Sequence, residues 1–195
     1  MNRVKIFALI MILSISGPMF SRTLQKPAAS QEQQDQLEAI DFLSGENISK
    51  FSFEPEEFWS ATSNTLVFTE KELQLMGYAT FEEVLPRKQA FSMTALVTAK
   101  NIREMGFGFG GGFQMSVIFP QDGKSYELYL VVSGDKAAYW VGKERQGSYY
   151  SWGGTLKLGV HGNENKKPKK AIYSKLEFKE LTVDEANKLL KKRRK

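Results

Sequence analysis

The sequence predicts an all-β fold, an antiparallel β-sandwich or jelly roll with a short C-terminal α-helix. The first observation behind this is alternation. Apolar residues occupy every second position in Phe91/Met93/Ala95/Val97, Phe113/Met115/Val117/Phe119, Tyr126/Leu128/Leu130/Val132 and Leu156/Leu158/Val160, which is the period of a half-buried strand. The second is punctuation: turn formers such as Gln121-Asp122-Gly123-Lys124 and Ser133-Gly134-Asp135-Lys136 separate these runs. The third is a capping box. Thr182 as N-cap and Glu185 three residues on predict a helix from Val183 to about Arg193. Many short strands and one terminal helix, without an internal repeat, fit a sandwich rather than a solenoid or propeller.

Taken in order, residues 1–21 carry Arg3 and Lys5, an apolar run from Ile6 to Leu13, and then Ser14, Ser16, Gly17 and Pro18. This is the layout of a secretory signal peptide, and its apolar core is shorter than the roughly 20 residues a membrane span needs. Export to a bacterial periplasm or beyond is the expectation. Residues 22–40 read as a linker or short helix, with Leu37, Ile40 and Leu43 at helical spacing. The sandwich is expected over 41–181. Phe51 and Phe53 alternate before Pro55, and Leu66, Val67 and Phe68 form a short strand. Residues 70–85 fit a strand or a helix equally. Residues 105–133 read as a hairpin turning at Asp122-Gly123. Residues 142–148 and 162–170 read as charged loops, and 171–181 as a last strand with Ile172, Leu176 and Phe178 inward and Tyr173 on the other face. Residues 182–195 form a basic C-terminal helix.

Composition removes several functions. The chain has no cysteine and one histidine, His161, so disulfides, thiolate metal sites, cysteine nucleophiles and multi-histidine centres are excluded. No cofactor is expected. The net charge of +5 is unevenly spread. Residues 30–90 hold 12 acids and 4 bases, net −8, whereas residues 91–195 hold 10 acids and 19 bases, net +9; the remaining +4 comes from Arg3, Lys5, Arg22 and Lys26. Two runs, Lys166-Lys167-Pro168-Lys169-Lys170 and Lys191-Lys192-Arg193-Arg194-Lys195, carry much of the excess. Such runs suit nucleic acid or anionic lipid and lipopolysaccharide phosphates as well as plain solvation, and export argues against nucleic acid.

If one face of each strand is core, the opposite positions form the surface where a ligand would sit. They include Ser92, Thr94, Gln114, Ser116, Glu127, Tyr129 and Lys157. Trp152, between Ser151 and Gly153-Gly154, adds an exposed aromatic of the kind that stacks on sugars, while Trp140 lies on a strand and suits core as well. The candidate ligand-binding set is Gln114, Glu127, Tyr129, Trp152 and Lys157, with no catalytic or metal residue. The glycines of residues 106–112 are followed by neither the Lys-Ser/Thr of a phosphate loop nor a helix; a bend or close strand packing is expected there.

The order of segments resembles a concanavalin A-like lectin/glucanase jelly roll of the laminin-G kind over residues 41–181. The resemblance rests on Phe42-Leu43-Ser44-Gly45-Glu46-Asn47-Ile48, Phe91-Ser92-Met93-Thr94-Ala95, the Tyr126-Glu127-Leu128-Tyr129-Leu130 strand after Asp122-Gly123, and the closing Phe178-Lys179-Glu180-Leu181. It implies a domain that binds or acts on glycans. The Glu-x-Asp-x-x-Glu strand of the superfamily's laminarinase-type glucanases is absent. The leading expectation is therefore an exported, non-catalytic domain binding carbohydrate or another cell-envelope component. The alternatives are a glycoside hydrolase or lyase with Glu127 as one carboxylate, and a structural envelope protein whose basic tail touches anionic surfaces.

Overall fold

The structure is a computed structural model that describes residues 37–70, 76–110, 115–118 (backbone only), 123–147, 152–163 and 167–192. Residues 36–195 form one compact unit. The proposed signal segment, Gln114, Phe113, Phe119 and the Gln121-Asp122 half of the expected turn lie outside the described residues.

The strands are β1 (Ala39–Asp41), β2 (Phe51–Glu54), β3 (Trp59–Thr62), β4 (Thr65–Glu70), β5 (Met76–Val84), β6 (Ala90–Lys100), β7 (Ile102–Phe109), β8 (Met115–Ile118), β9 (Ser125–Ser133), β10 (Lys136–Val141), β11 (Glu144–Gly147), β12 (Thr155–Gly162) and β13 (Lys169–Glu180). Two helices join them, α1 (Gly45–Ile48) and α2 (Val183–Lys191). An eight-stranded sheet runs β11-β10-β9-β6-β13-β4-β3, with β1 also on β13; a five-stranded sheet runs β2-β5-β12-β7-β8. Every strand pairing is antiparallel. The all-β sandwich and its terminal helix are as the sequence predicts. Among the described residues, the sheets' outermost strands β2, β3, β8 and β11 have four residues each.

Several local expectations change. The expected hairpin over 105–133 does not form, because β8 pairs with β7 in the smaller sheet while β9 lies between β6 and β10 in the larger one. Alternation fixes which face of a strand is buried but carries no information about which strand lies beside it. Residues 142–148 hold a strand, β11, which returns along β10 after the left-handed Gly142. Residues 76–84 are a strand. β1 places residues 39–41 in the sheet, paired with Lys179, Phe178 and Glu177, so the sandwich begins inside the stretch read as linker.

The core rows of β6, β9 and β12 hold as read: Phe91, Met93, Ala95, Val97, Leu128, Leu130, Val132, Leu156, Leu158 and Val160 are all buried. β13 differs. Its pairing with β6 shifts between Tyr173 and Lys175. This bulge at Ser174 reverses the alternation, so Ala171, Tyr173, Leu176 and Phe178 point inward and Ile172 outward. Tyr173 is fully buried, and its hydroxyl crosses the sandwich to the carbonyl oxygens of Gly106 at 2.9 Å and Gly159 at 3.0 Å, which are register partners on β7 and β12. Burial pushes the phenol's pKa up, so it stays a protonated donor. The Tyr173→Phe substitution leaves two carbonyls without that donor. We expect a loss of about 1–2 kcal/mol in urea unfolding with no change in sheet content by circular dichroism.

One end of the sandwich holds a buried ion pair. Lys169 and Glu70, register partners on β13 and β4, meet at 2.8 Å with side chains 0% and 3% exposed. The lysine stem passes over Gly162, where a Cβ would lie 2.3 Å from Lys169 Cδ, so the glycine makes room for the buried chain. Removing one partner strands a charge. Lys169→Met alone should cost about 3–5 kcal/mol of unfolding free energy, and adding Glu70→Leu should recover most of it. A single variant as stable as the parent would show that the pair contributes no such constraint.

α2 is capped as predicted. Thr182 Oγ1 accepts from the Glu185 N–H, and the Glu185 carboxylate accepts from the Thr182 N–H at 2.9 Å. The Thr182 N–H, and after it the Thr182 hydroxyl donating to the same carboxylate at 2.8 Å, hold the Glu185 carboxyl below its usual range. The helix seats Ala186, Leu189 and Leu190 against Ala90, Val131, Ala138, Trp140 and Leu181.

Candidate functional site

Of the five residues chosen from sequence, Gln114 lies outside the described residues and the other four do not converge. Leu128, Leu130 and Val132 face the core, which turns Glu127, Tyr129 and Val131 to the outer face of the larger sheet. α2 occupies part of that face. Tyr129 is half-buried in the helix seat, its ring 5.8 Å from that of buried Trp140, so it serves packing. Glu127 stands on the same face, in register with Leu96 on β6. Lys157 lies between buried Leu156 and Leu158 on β12 and therefore points out of the other sheet, on the far side of the sandwich. Trp152 sits at the sandwich end, stacked on Phe109 at 4.8 Å and edge-on to Phe91 at 5.5 Å. It is half-buried against the core rather than presented to solvent.

The glycines beside Trp152 explain its position. A Cβ on Gly153 would lie 2.4 Å from the Gly110 Cα, and the Gly153 N–H donates to the Phe109 carbonyl at 2.7 Å. Two backbones meet there where only glycine fits. The glycine-rich segment thus contains the close packing expected of it.

The outer face of the smaller sheet collects the polar groups that sequence reading left scattered. Registers across β5, β12 and β7 give three rows: Met76, His161 and Glu104; Tyr78, Gly159 and Gly106; Thr80, Lys157 and Gly108. Three glycines thus remove the side chains from the middle of the face. The glycines are buried, and half-buried Tyr78, Thr80, Lys157, His161 and Glu104 stand around them. Lys157 Nζ rests 4.0 Å from the centre of the Tyr78 ring, a cation–π contact. His161 Nδ1 is 3.9 Å from a Glu104 carboxylate oxygen, within range of an ion pair when the imidazole is protonated. The three rows together hold a cation, an aromatic ring, a hydroxyl and a carboxylate, a mixture that can donate to and accept from sugar hydroxyls.

Tyr78, Thr80, Glu104 and His161 were missed by the sequence reading. Their signal was present in Gly77, Ala79 and Phe81, a small and apolar row alternating with Met76, Tyr78 and Thr80, but residues 70–85 also fitted a helix. Gly77 faces inward, where a Cβ would lie 2.3 Å from the Phe68 ring. Among the described residues no three histidine or carboxylate groups are placed to hold a metal ion.

No family model matches the chain, and no curated protein matches it in sequence. Solved structures do. The carbohydrate recognition domain of Emp46p superposes with a TM-score of 0.52 at 8% identity, over 68% of this chain and 89% of that domain. The exoplasmic/lumenal domain of VIP36 gives 0.51 at 10% identity, over 75% and 94%; its Ca2+/Man3GlcNAc-bound form gives 0.50. A structure described as a native glycosidic hydrolase gives 0.52 at 8% identity, over 73% and 94%. At these identities the likeness is one of fold. The chain has the concanavalin A-like jelly roll, the architecture its strand order resembled.

Proposed function

We propose that this domain is exported and binds carbohydrate without turning it over, on the outer face of the five-stranded sheet around Tyr78, Thr80 and Lys157. The observation that carries this is the cation-held, half-buried ring of Tyr78 in a row whose other members are Gly159 and Gly106, with Thr80 and Lys157 in the next row. A pyranose can stack on the accessible part of the Tyr78 ring with its hydroxyls toward Thr80, Lys157, His161 and Glu104. The fold shared with the Emp46p carbohydrate recognition domain and with the VIP36 domain, which has a Man3GlcNAc-bound form, supports the substrate class. The absence of a Glu-x-Asp-x-x-Glu strand supports binding over hydrolysis.

The test is a glycan array followed by titration of the best ligand. Tyr78→Ala and Lys157→Ala should each weaken binding at least tenfold, with Tyr129→Ala within twofold of the parent. Binding that survives Tyr78→Ala and Lys157→Ala but fails in Glu127→Ala would move the site to the larger sheet. Release of reducing ends that vanishes in Glu127→Gln would replace binding by hydrolysis. Export is checked separately by N-terminal sequencing of the chain from its native host. A mature terminus near residue 22 is expected, and an intact Met1 would overturn it.

A further inference from the structure

The described end of the basic run, residues 167–170, is not a freely solvated loop. Its alternate lysines are divided between two environments. Lys169 turns inward to Glu70, and its ammonium also donates to the Lys167 carbonyl at 3.5 Å. Lys170 turns outward, between inward Lys169 and Ala171, and is exposed. Asn101, which holds the left-handed β6–β7 turn at φ 55°, donates from Nδ2 to the Pro168 carbonyl at 2.7 Å and accepts from the Asn163 N–H at 3.1 Å. The run is therefore tied to the end of β6 at both sides.

That tie sets like charges against each other. Lys170 is the direct register partner of Lys100 across β13 and β6, and Lys100 is also exposed. Thr69 of β4 flanks Lys170 on the other side. Like charges directly opposite on a sheet repel and destabilise the pair. The placement thus has a cost in folding stability that an anion between the two ammonium groups would reverse.

We propose that Lys100 and Lys170, with Lys167 on the tethered loop, bind a sulfate or phosphate ester group on an acidic glycan. Two lysines opposite each other suit a compact group carrying charge on several oxygens, and each ammonium can donate more than one hydrogen bond. A glycan fits better than a lipid surface because the neighbourhood is hydroxylic. Thr69 lies beside Lys170, and in the next row Thr98 and Ser125 stand beside Ile172 and Val67, their hydroxyl oxygens 2.8 Å apart. The exposed large apolar residues that could enter a membrane, Leu37, Met76, Val84 and Val183 among the described residues, belong to none of β4, β6, β9 or β13. The site lies on the eight-stranded sheet, apart from Tyr78 and Lys157, and does not depend on the reading of that other face.

The experiment titrates the full chain with a labelled heparin oligosaccharide as the sulfated probe, a hyaluronan fragment of equal length as the carboxylate-only probe, and phosphatidylglycerol vesicles as the membrane probe. Two variants remove equal charge: Lys100→Gln/Lys170→Gln at the site and Lys191→Gln/Lys192→Gln on the tail. Heparin affinity should fall at least tenfold in the first and less than threefold in the second. The slope of log K against log salt should drop by about two in the first, one for each lost contact. The melting temperature of the first variant should hold or rise as the repulsion is removed. Equal losses in both variants, hyaluronan binding as tight as heparin, or vesicle binding that alone depends on Lys100 and Lys170 would each overturn the proposal. So would a fall in melting temperature.

Discussion

The contact on which the two-sheet arrangement turns is a single phenol. Tyr173 belongs to the larger sheet, yet its hydroxyl ends among backbone carbonyls of the smaller one, at the register pair Gly106 and Gly159. The surroundings are phenylalanine, leucine and methionine, where a hydroxyl without a partner would cost a few kilocalories per mole. Apolar packing is tolerant of sliding, because one methyl replaces another at little cost. A buried hydrogen bond is not, since its geometry fails within a few tenths of an ångström. Tyr173 therefore fixes one register of sheet upon sheet in a core otherwise held by non-directional forces. The bulge at Ser174 makes this possible by bringing Tyr173 inward while keeping Leu176 and Phe178 inward further along β13.

How much of this was legible follows from what each signal encodes. The rows of β6, β9 and β12 could be read because period-two alternation is a local property of one face against one core. The capping box at Thr182 and Glu185 was equally local. Partners were not legible, and the hairpin expected over 105–133 failed for that reason: the strands on either side of Gly123 belong to different sheets. Tyr173 was misplaced because a bulge shifts the phase of alternation without leaving a distinctive residue. The candidate site suffered from the same limit. Glu127 and Lys157 both alternate outward, but sequence cannot say that outward means opposite sides of the molecule. Tyr78, Glu104 and His161 meet only through the pairing of β5, β12 and β7.

Charge shows the same division between composition and position. Counting gives two basic runs of similar length, yet folding treats them differently. In the first, one lysine becomes the buried partner of Glu70 and the next stands opposite Lys100. In the second, the described lysines follow the dipole of α2, with Asp184 and Glu185 in its first turn and Lys188 and Lys191 in its last. At the other end of the sandwich, Lys88 lies 3.0 Å from both Glu38 and Glu180, and these carboxylates, Glu38 first, raise its pKa. That network fastens the stretch before β1 to the end of β13.

The brevity of the boundary strands has a consequence for how copies of the protein tolerate one another. An open sheet edge is a template on which a second chain can add strands. Here the backbone groups offered by β2 and β3 run for only four residues each, and β11 breaks register against β10 after Tyr139. The long strands that could seed cross-β growth, β6 and β13, are enclosed by neighbours along their length. A chain without a single cysteine to staple it thus keeps its longest strands inside the sheet, away from the edge-to-edge pairing that seeds aggregation.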